Sequence, residues 1–245
     1  MSMKTGKAGG PEQREAAAIL RELEALGNPV NVAGMARYGI RSAQVLGVPA
    51  PVVRARAKAL GRNHELAAAL WQTGVLEARL MAALVDEPAK VTRGQMEAWA
   101  RDFDSWALCD GACSILFDRT PFAVEKAHAW SRRRAEYVKR AGFVLMAALA
   151  VHDKRAPDEV FRDFLPVIER ESGDERNFVK KAVNWALRQV GKRNAALHVA
   201  AIETCGRLRA SRLRSARWIA ADALRELTDD KTMERLQRRR RGATL

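Results

Sequence analysis

The chain has 245 residues, with 43 Lys and Arg against 29 Asp and Glu, and its formal net charge is +14. A chain of this length can bury a core without disulfides or a structural metal. So large an excess of positive charge favours a polyanion as the binding partner. No stretch approaches the roughly 20 apolar residues that cross a bilayer, and residues 1–10 lack the apolar segment of a secretory signal. These features argue against membrane-spanning and secreted classes, so we expect a cytoplasmic protein with no membrane partner.

Helix start signals and apolar stripes recur along the chain about every 15 to 20 residues. In chain order the start signals are Asn63, Thr92 with Gln95 as a capping box, Asp104, Thr120 with Pro121, Pro157, Asp174, Asn194 and Ser211. About twelve helices, paired into about six hairpins of about 40 residues each, match the HEAT or armadillo period. The sequence therefore predicts an all-α fold, a curved α-solenoid of about six HEAT-like hairpins.

The charge is distributed unevenly, which indicates the domain organisation. Residues 186–245 contain fifteen Lys or Arg against six acids, and residues 238–241 are four consecutive arginines. We predict a flexible N-terminus over residues 1–10, a HEAT-like repeat domain over residues 11–228 and a basic C-terminal tail over residues 229–245. The four arginines are either a solvated basic terminus or a direct contact to nucleic acid, and the sequence leaves both open.

The chain carries no recognisable metal or cofactor motif. Cys109, Cys113 and Cys205 form an odd set, with no paired CxxC motifs and no histidine at zinc-finger spacing. We expect reduced, mostly buried thiols and no metal site. The glycine patterns of phosphate-binding loops and Rossmann folds are also missing, so we expect no cofactor.

A predicted helix over residues 104–117 places an indole and a carboxylate on one face. Trp106, Cys109, Asp110 and Cys113 follow the spacing i, i+3, i+4, i+7. Buried tryptophans and surface aspartates are common, so by spacing alone Trp106 belongs to the core and Asp110 caps a helix or pairs with an arginine. A site built on this pair is the alternative.

A second predicted helix, over residues 178–191, places a tryptophan among cations. This stripe consists of Lys181, Trp185, Arg188 and Lys192. A core tryptophan normally lies on the apolar face, which here runs through Val179, Val183 and Val190. An indole among cations suits the backbone and sugars of nucleic acid. The alternative is a tryptophan packed under long cationic side chains.

Arg140 opens the apolar run AGFVLMAALAV, directly after a basic cluster. The cluster consists of Arg132, Arg133, Arg134 and Lys139. Arg140 is either an ordinary helix-surface residue or a phosphate ligand, because a guanidinium can grip two phosphate oxygens through parallel hydrogen bonds.

Three segments in order resemble one known family. They are FDSWALCD (residues 103–110), VKRAGFVLMA (138–147) and FVKKAVNWALRQVGKRN (178–194). Together they resemble the AlkD-like DNA alkylation repair glycosylases, which are built from HEAT-like repeats. MARYGI and LGVPAPVVRARAK, within residues 35–58, are similar to the N-terminal pattern of that family. The resemblance spans roughly residues 11–225.

The resemblance implies roles for four residues. Trp106 and Asp110 match the family's catalytic Trp and Asp, Arg140 matches its catalytic-site Arg, and Trp185 matches its second active-site Trp. Arg140 and the cations of the stripe would then contact DNA. The family excises cationic N3- and N7-alkylpurines from duplex DNA without flipping the base. The resemblance thus implies a monofunctional glycosylase of base excision repair, a monomer that acts on alkylated double-stranded DNA and associates with the nucleoid when bound.

Excision of a cationic purine can proceed with a single carboxylate. Glycosidases usually need one carboxyl group to protonate the leaving group and another to stabilise the sugar, but a cationic purine leaves as a neutral base without an acid. Asp110 can then stabilise the oxocarbenium-like sugar and orient water. Two other functions stay open. One is a non-catalytic HEAT-like module that binds DNA junctions, damaged duplex or RNA, and the other is a protein-binding scaffold.

Overall fold

The computed structural model describes residues 10–242, with side chains described as far as residue 238. Within this part of the chain there are fourteen α-helices, one short 3-10 helix at Phe117–Arg119, and no strand. The predicted all-α fold is confirmed, with two helices more than the sequence indicates. The predicted flexible N-terminus falls on residues 1–10, of which only Gly10 is described.

The chain divides into two compact units, and the division falls between Trp99 and Ala100. The helices before or at this point are α1 (Pro11–Ala25), α2 (Pro29–Arg37), α3 (Ala50–Leu60), α4 (His64–Gln72), α5 (Leu76–Val85) and α6 (Arg93–Arg101). In the first unit α4 packs on α1 and α5, and α3 packs on α5. The indole rings of Trp71 and Trp99 stack with centroids 3.8 Å apart.

The second unit is built from two rows of helices. The first row contains four helices that pack side by side in chain order, α7 (Trp106–Ile115), α9 (Glu136–His152), α11 (Asn177–Gly191) and α13 (Arg214–Leu227). The second row contains α8 (Ala123–Trp130), α10 (Asp158–Glu171), α12 (Ala195–Arg209) and α14 (Asp230–Gly242). Helices α8 and α12 join the rows by packing on α9 and on α11 and α13 respectively.

The neighbouring helices α11 and α13 run parallel in a constant register. Successive contacts join side chains 38 positions apart: Asn184 donates to Asp222, and Arg188 donates to Glu226. Both residue numbers rise together along the contact, so the two helices point the same way. The chain therefore returns to the first row after about 40 residues, which is the period of a HEAT-like hairpin.

Helix α9 is the most deeply buried element of the second unit. Every residue from 140 to 150 is buried. The helix passes so close to the end of α8 that a Cβ atom on Gly142 would lie 2.4 Å from the backbone nitrogen of Ser131 and 2.9 Å from the carbonyl oxygen of Ala127. These neighbours are backbone atoms, so only a shift of the whole segment could accommodate a side chain there.

We expect Gly142→Ala to destabilise the protein by about 1–3 kcal/mol or more, because overpacking forces backbone shifts. Urea denaturation followed by circular dichroism measures the change. Gly206→Ala is the matched control, since Gly206 also lies inside a helix but its Cβ would meet nothing within 4 Å. The control should gain up to about 1 kcal/mol from helix propensity. Equal stability of the two variants would contradict this close approach.

Two of the predicted helix starts are N-caps as expected. Asn63 Oδ1 accepts from the backbone N–H of Leu66, and Asn194 Oδ1 accepts from that of Leu197, both at 2.9 Å. The predicted capping box at Thr92 is only half formed, because the Gln95 side chain donates to Asp86 instead. Several other starts are shifted towards the C-terminus by one to three residues.

The C-terminal segment continues the helical pattern. Thr232 and Leu236 of α14 are buried, so this helix packs through at least these two side chains. The predicted basic tail over residues 229–245 thus begins with a helix, while the boundary at residue 228 stays a prediction. The side chains of residues 239–241, three of the four consecutive arginines, lie outside the described residues.

No helix in residues 10–242 is both long enough and apolar enough to cross a membrane.

Candidate nucleic-acid site

An ion pair joins α7 and α9, one turn after the start of each helix. The Asp110 carboxylate accepts hydrogen bonds from Arg140 Nε and Nη2, both at 2.7 Å. The third guanidinium nitrogen, Nη1, donates to the carbonyl oxygen of Phe178 at 2.6 Å. The Arg140 side chain is 8% exposed and the Asp110 side chain 19% exposed. Arg140 therefore ties three neighbouring helices together and leaves an edge of the carboxylate at the surface.

Burial and pairing shift the pKa values of Asp110 and Arg140 in opposite directions. Burial raises the pKa of Asp110 above its ordinary value, although the hydrogen bonds and charge of Arg140 oppose this shift. Burial lowers the pKa of Arg140, but the Asp110 carboxylate outweighs it and the net shift is upward. The short bidentate geometry is typical of an ionised carboxylate and guanidinium. We infer that Asp110 carries its negative charge at neutral pH.

The two predicted aromatic residues lie on α7 and α11, the helices on either side of α9. Trp106 is the first residue of α7, one turn before Asp110, and is partly exposed. Trp185 lies on α11, two turns after Phe178, and is also partly exposed. When the Gln189 amide presents its oxygen, Trp185 Nε1 donates to it at 3.0 Å. Both indoles are thus partly buried and partly exposed at the surface.

Two of the three cysteines connect the helices that carry this ion pair. Cys109 and Cys113 on α7 donate from Sγ to the carbonyl oxygens of Tyr137 and Ala141 on α9. Burial raises the pKa of the Cys109 thiol well above its ordinary value, so it stays a neutral thiol. All three cysteines are buried and free, as the sequence predicts for buried thiols. Among the described residues, no group of three or more His, Cys, Asp or Glu side chains could hold a metal ion.

The cations of the predicted stripe differ in their surroundings: one is exposed to solvent and two form ion pairs within the protein. Lys181 is exposed. Arg188 Nη1 and Lys192 Nζ both pair with the Glu226 carboxylate on α13. Burial raises the pKa of Glu226, but its hydrogen bond with Lys192 and the charge of Arg188 lower it by more. Two of the predicted DNA ligands, Arg188 and Lys192, are therefore already paired with a carboxylate of the protein.

Sequence reasoning missed Glu226, since it lies in another segment 38 positions from Arg188. It also missed a network at the start of α11. Asp174 accepts hydrogen bonds from Arg176 and pairs with Lys139 Nζ at 3.0 Å. Burial raises the pKa of Asp174, but these partners bring it down to about 2. The network holds the loop before α11 against the start of α9, beside the Asp110–Arg140 pair.

A family model described as DNA alkylation repair enzyme matches residues 19–239 of the chain. One similar solved structure is described as a new family of proteins related to the HEAT-like repeat DNA glycosylases, with affinity for branched DNA structures. The TM-score is 0.68 at 22% identity, over 78% of this chain and 81% of the other. No curated protein matches the chain significantly. At this identity the structural likeness shows the fold alone, and it confirms the predicted HEAT-like repeat architecture.

Proposed function

The chain belongs to the DNA alkylation repair enzyme family, and from that premise we propose that it is a DNA glycosylase. The proposed substrates are cationic N3- and N7-alkylated purines in duplex DNA, and the base is excised without being flipped. The observation that carries the proposal is the partly exposed Asp110 carboxylate, held in place by Arg140 and preceded one turn earlier by Trp106. We further propose that the protein acts as a cytoplasmic monomer on chromosomal DNA.

The proposed mechanism needs one negative charge and no general acid. The bond between the anomeric carbon and the purine nitrogen breaks, and its electron pair neutralises the positive charge of the base. Positive charge then develops on the sugar, where Asp110 stabilises it and orients the water that adds to the anomeric carbon. The water releases its proton to the carboxylate or to solvent. The faces of Trp106 and Trp185 favour the same charge by about 0.5 to 2 kcal/mol each.

We assign Arg140 chiefly to the positioning of Asp110. The sequence predicts Arg140 as a DNA ligand, and this prediction stands untested. Each of its three nitrogen atoms already donates to a protein oxygen, and the side chain is almost fully buried. A phosphate would therefore meet only the remaining N–H groups. Contacts to phosphate are better supplied by the exposed side chains of Lys181 and of Arg132 to Arg134 in the loop before α9.

The second candidate function is a binder of branched DNA without catalysis. The similar solved structure belongs to proteins described as having affinity for branched DNA. The Asp110–Arg140 pair is consistent with this alternative, since an ion pair can serve a purely structural purpose. Release of free base from alkylated DNA separates the two functions.

The experiment is single-turnover incubation of the purified protein with duplex DNA methylated at purine nitrogens, followed by chromatography of the free bases. We expect release of N3-methyladenine and N7-methylguanine at rates well above those of the protein-free duplex. An undamaged duplex of the same sequence is the control. Tight DNA binding with no base release would favour the branched-DNA binder.

We expect the affinity for duplex DNA to fall steeply with salt, because Lys and Arg side chains that neutralise phosphates release condensed counterions. With about four to six phosphate contacts, the dissociation constant should rise by roughly 100-fold to 2,000-fold between 50 and 200 mM salt. Fluorescence anisotropy with a labelled duplex measures this. A constant that stays flat over this range would contradict a phosphate-binding surface.

A further inference from the structure

One position recurs along the first row of helices in the second unit. The fifth residues of α7, α9, α11 and α13 are Asp110, Arg140, Lys181 and Trp218. The four residues form a series by their position within each helix, and contacts join the helices close to it: Arg140 binds Asp110 and the Phe178 carbonyl oxygen, and Lys180, the neighbour of Lys181, lies beside Trp218. The proposed function uses the first three residues of this series, Asp110, Arg140 and Lys181. Trp218, at the other end of the series, has no part in it.

Trp218 is unusual among the tryptophans of this chain. The residue is 38% exposed, whereas each of the other five tryptophans is buried or partly buried. The ammonium group of Lys180 on α11 lies 5.0 Å from the centroid of its ring. An indole is among the largest apolar side chains, and where it is exposed beside a cation its flat face can stack on a nucleic-acid base.

The charges around Trp218 are mostly positive. Lys180 and Lys181 lie on α11, and Arg214 and Arg217 lie in the first turn of α13. One Arg217 nitrogen donates to the carbonyl oxygens of residues 211 and 212, so this side chain also closes the loop before α13. Two acids lie nearby: Asp222, one turn further along the helix, is engaged with Asn184 and Arg225, and Glu175 accepts a hydrogen bond from the backbone N–H of Ser215 at the start of α13. The surface thus combines an aromatic face with cations on two neighbouring helices.

This combination matches unpaired nucleotides better than duplex DNA. Proteins bind single strands by stacking bases on aromatic side chains and neutralising phosphates with cations, and every base has a face that can stack. In a duplex both faces of each base are already covered by its neighbours. A protein partner would need a larger apolar patch, whereas the side chain that lies beside the Trp218 ring is a cation, Lys180.

We propose that Trp218, with Lys180 and Lys181, binds an unpaired nucleotide of DNA, so that this protein prefers duplexes with a single-stranded branch. The proposal rests on the proposed function only in taking DNA as the ligand. The base stacks on the exposed indole, and the two lysines contact the flanking phosphates. The series from Asp110 to Trp218 then spans a duplex segment at one end and an unpaired segment at the other.

The test compares two labelled DNAs by fluorescence anisotropy, a forked duplex with one unpaired arm and a fully paired duplex of equal length. We expect wild-type protein to bind the fork more tightly. Trp218→Leu, which keeps an apolar side chain but removes the aromatic face, should weaken fork binding on the order of tenfold and change duplex binding less than twofold. Trp218→Tyr keeps an aromatic face and should retain most of the preference.

Several outcomes overturn the proposal. They are equal binding of both DNAs by the wild type, equal losses on both DNAs in Trp218→Leu, and equal weakening by Leu and Tyr. A Trp218-dependent preference for forked RNA over forked DNA also overturns it. Base release from alkylated duplex, measured on the same proteins, is a separate readout. Its absence in the wild type contradicts the glycosylase proposal and leaves the fork preference intact.

Discussion

Asp110→Asn should lose on the order of a hundredfold or more in the single-turnover rate of alkylpurine excision, with duplex affinity unchanged or slightly higher. The substitution preserves size and removes the one charge assigned to the oxocarbenium-like sugar, and preorganised charges of this kind contribute at least this much. Affinity should hold because a negative charge is removed from a surface that binds phosphates. Excision of N3- and N7-methylpurines under saturating protein, with anisotropy for binding, measures both quantities.

Asp163→Asn is the matched control, because Asp163 is an exposed aspartate on α10 in the second row and its replacement changes net charge equally. It should excise at the wild-type rate. An Asp110→Asn protein that also excises at that rate would remove Asp110 from the mechanism and place the branched-DNA binder first.

The pH profile gives an independent check on the same group. Only the ionised carboxylate stabilises the sugar, so excision should fall as the pH falls through the pKa of Asp110. Burial raises that pKa, against the effect of Arg140. The acid limb of the profile should therefore lie above pH 3.8, the ordinary pKa of aspartate, and Asp110→Asn should abolish the limb.

Much of the fold could be predicted from local sequence. A cap such as Asn63 accepts a hydrogen bond only three residues away, so its signal lies within one turn. The start of α11 is different. Asp174 carries a cap signal, yet its carboxylate binds Arg176 and Lys139, and the helix begins at Asn177. Long-range pairing thus decides where a helix begins when a polar side chain has a better partner outside it.

The sequence predicts candidate site residues but not the contacts between them. The motifs identify Trp106, Asp110, Arg140 and Trp185, and the structure brings Asp110 and Arg140 into direct contact. Spacing along one helix cannot show which residue a side chain meets on the next helix. For this reason the partner of Arg140 and the pairing of Arg188 and Lys192 with Glu226 required the packed structure.

Loss of the Asp110–Arg140 pair should strongly lower the stability of the protein. Arg140→Met should destabilise the protein by about 3–5 kcal/mol, because it leaves a largely buried carboxylate without its partner and frees the Phe178 carbonyl oxygen. Urea denaturation at neutral pH measures the loss. Lys181→Met, one helix further along the same series but exposed, should change stability by less than about 0.5 kcal/mol.

A double-mutant cycle assigns this loss to the pair itself. Asp110→Asn alone leaves the buried guanidinium without an anion and should also destabilise the protein. In the double variant Asp110→Asn with Arg140→Met neither charge remains, so it should be more stable than the sum of the two single losses predicts, by about 1–3 kcal/mol. Because breaking a buried pair from one side costs more than removing both charges, strict additivity would mean that the two side chains do not interact in solution. Arg140 would then have to act on something other than Asp110, and contact with a DNA phosphate would become its leading role.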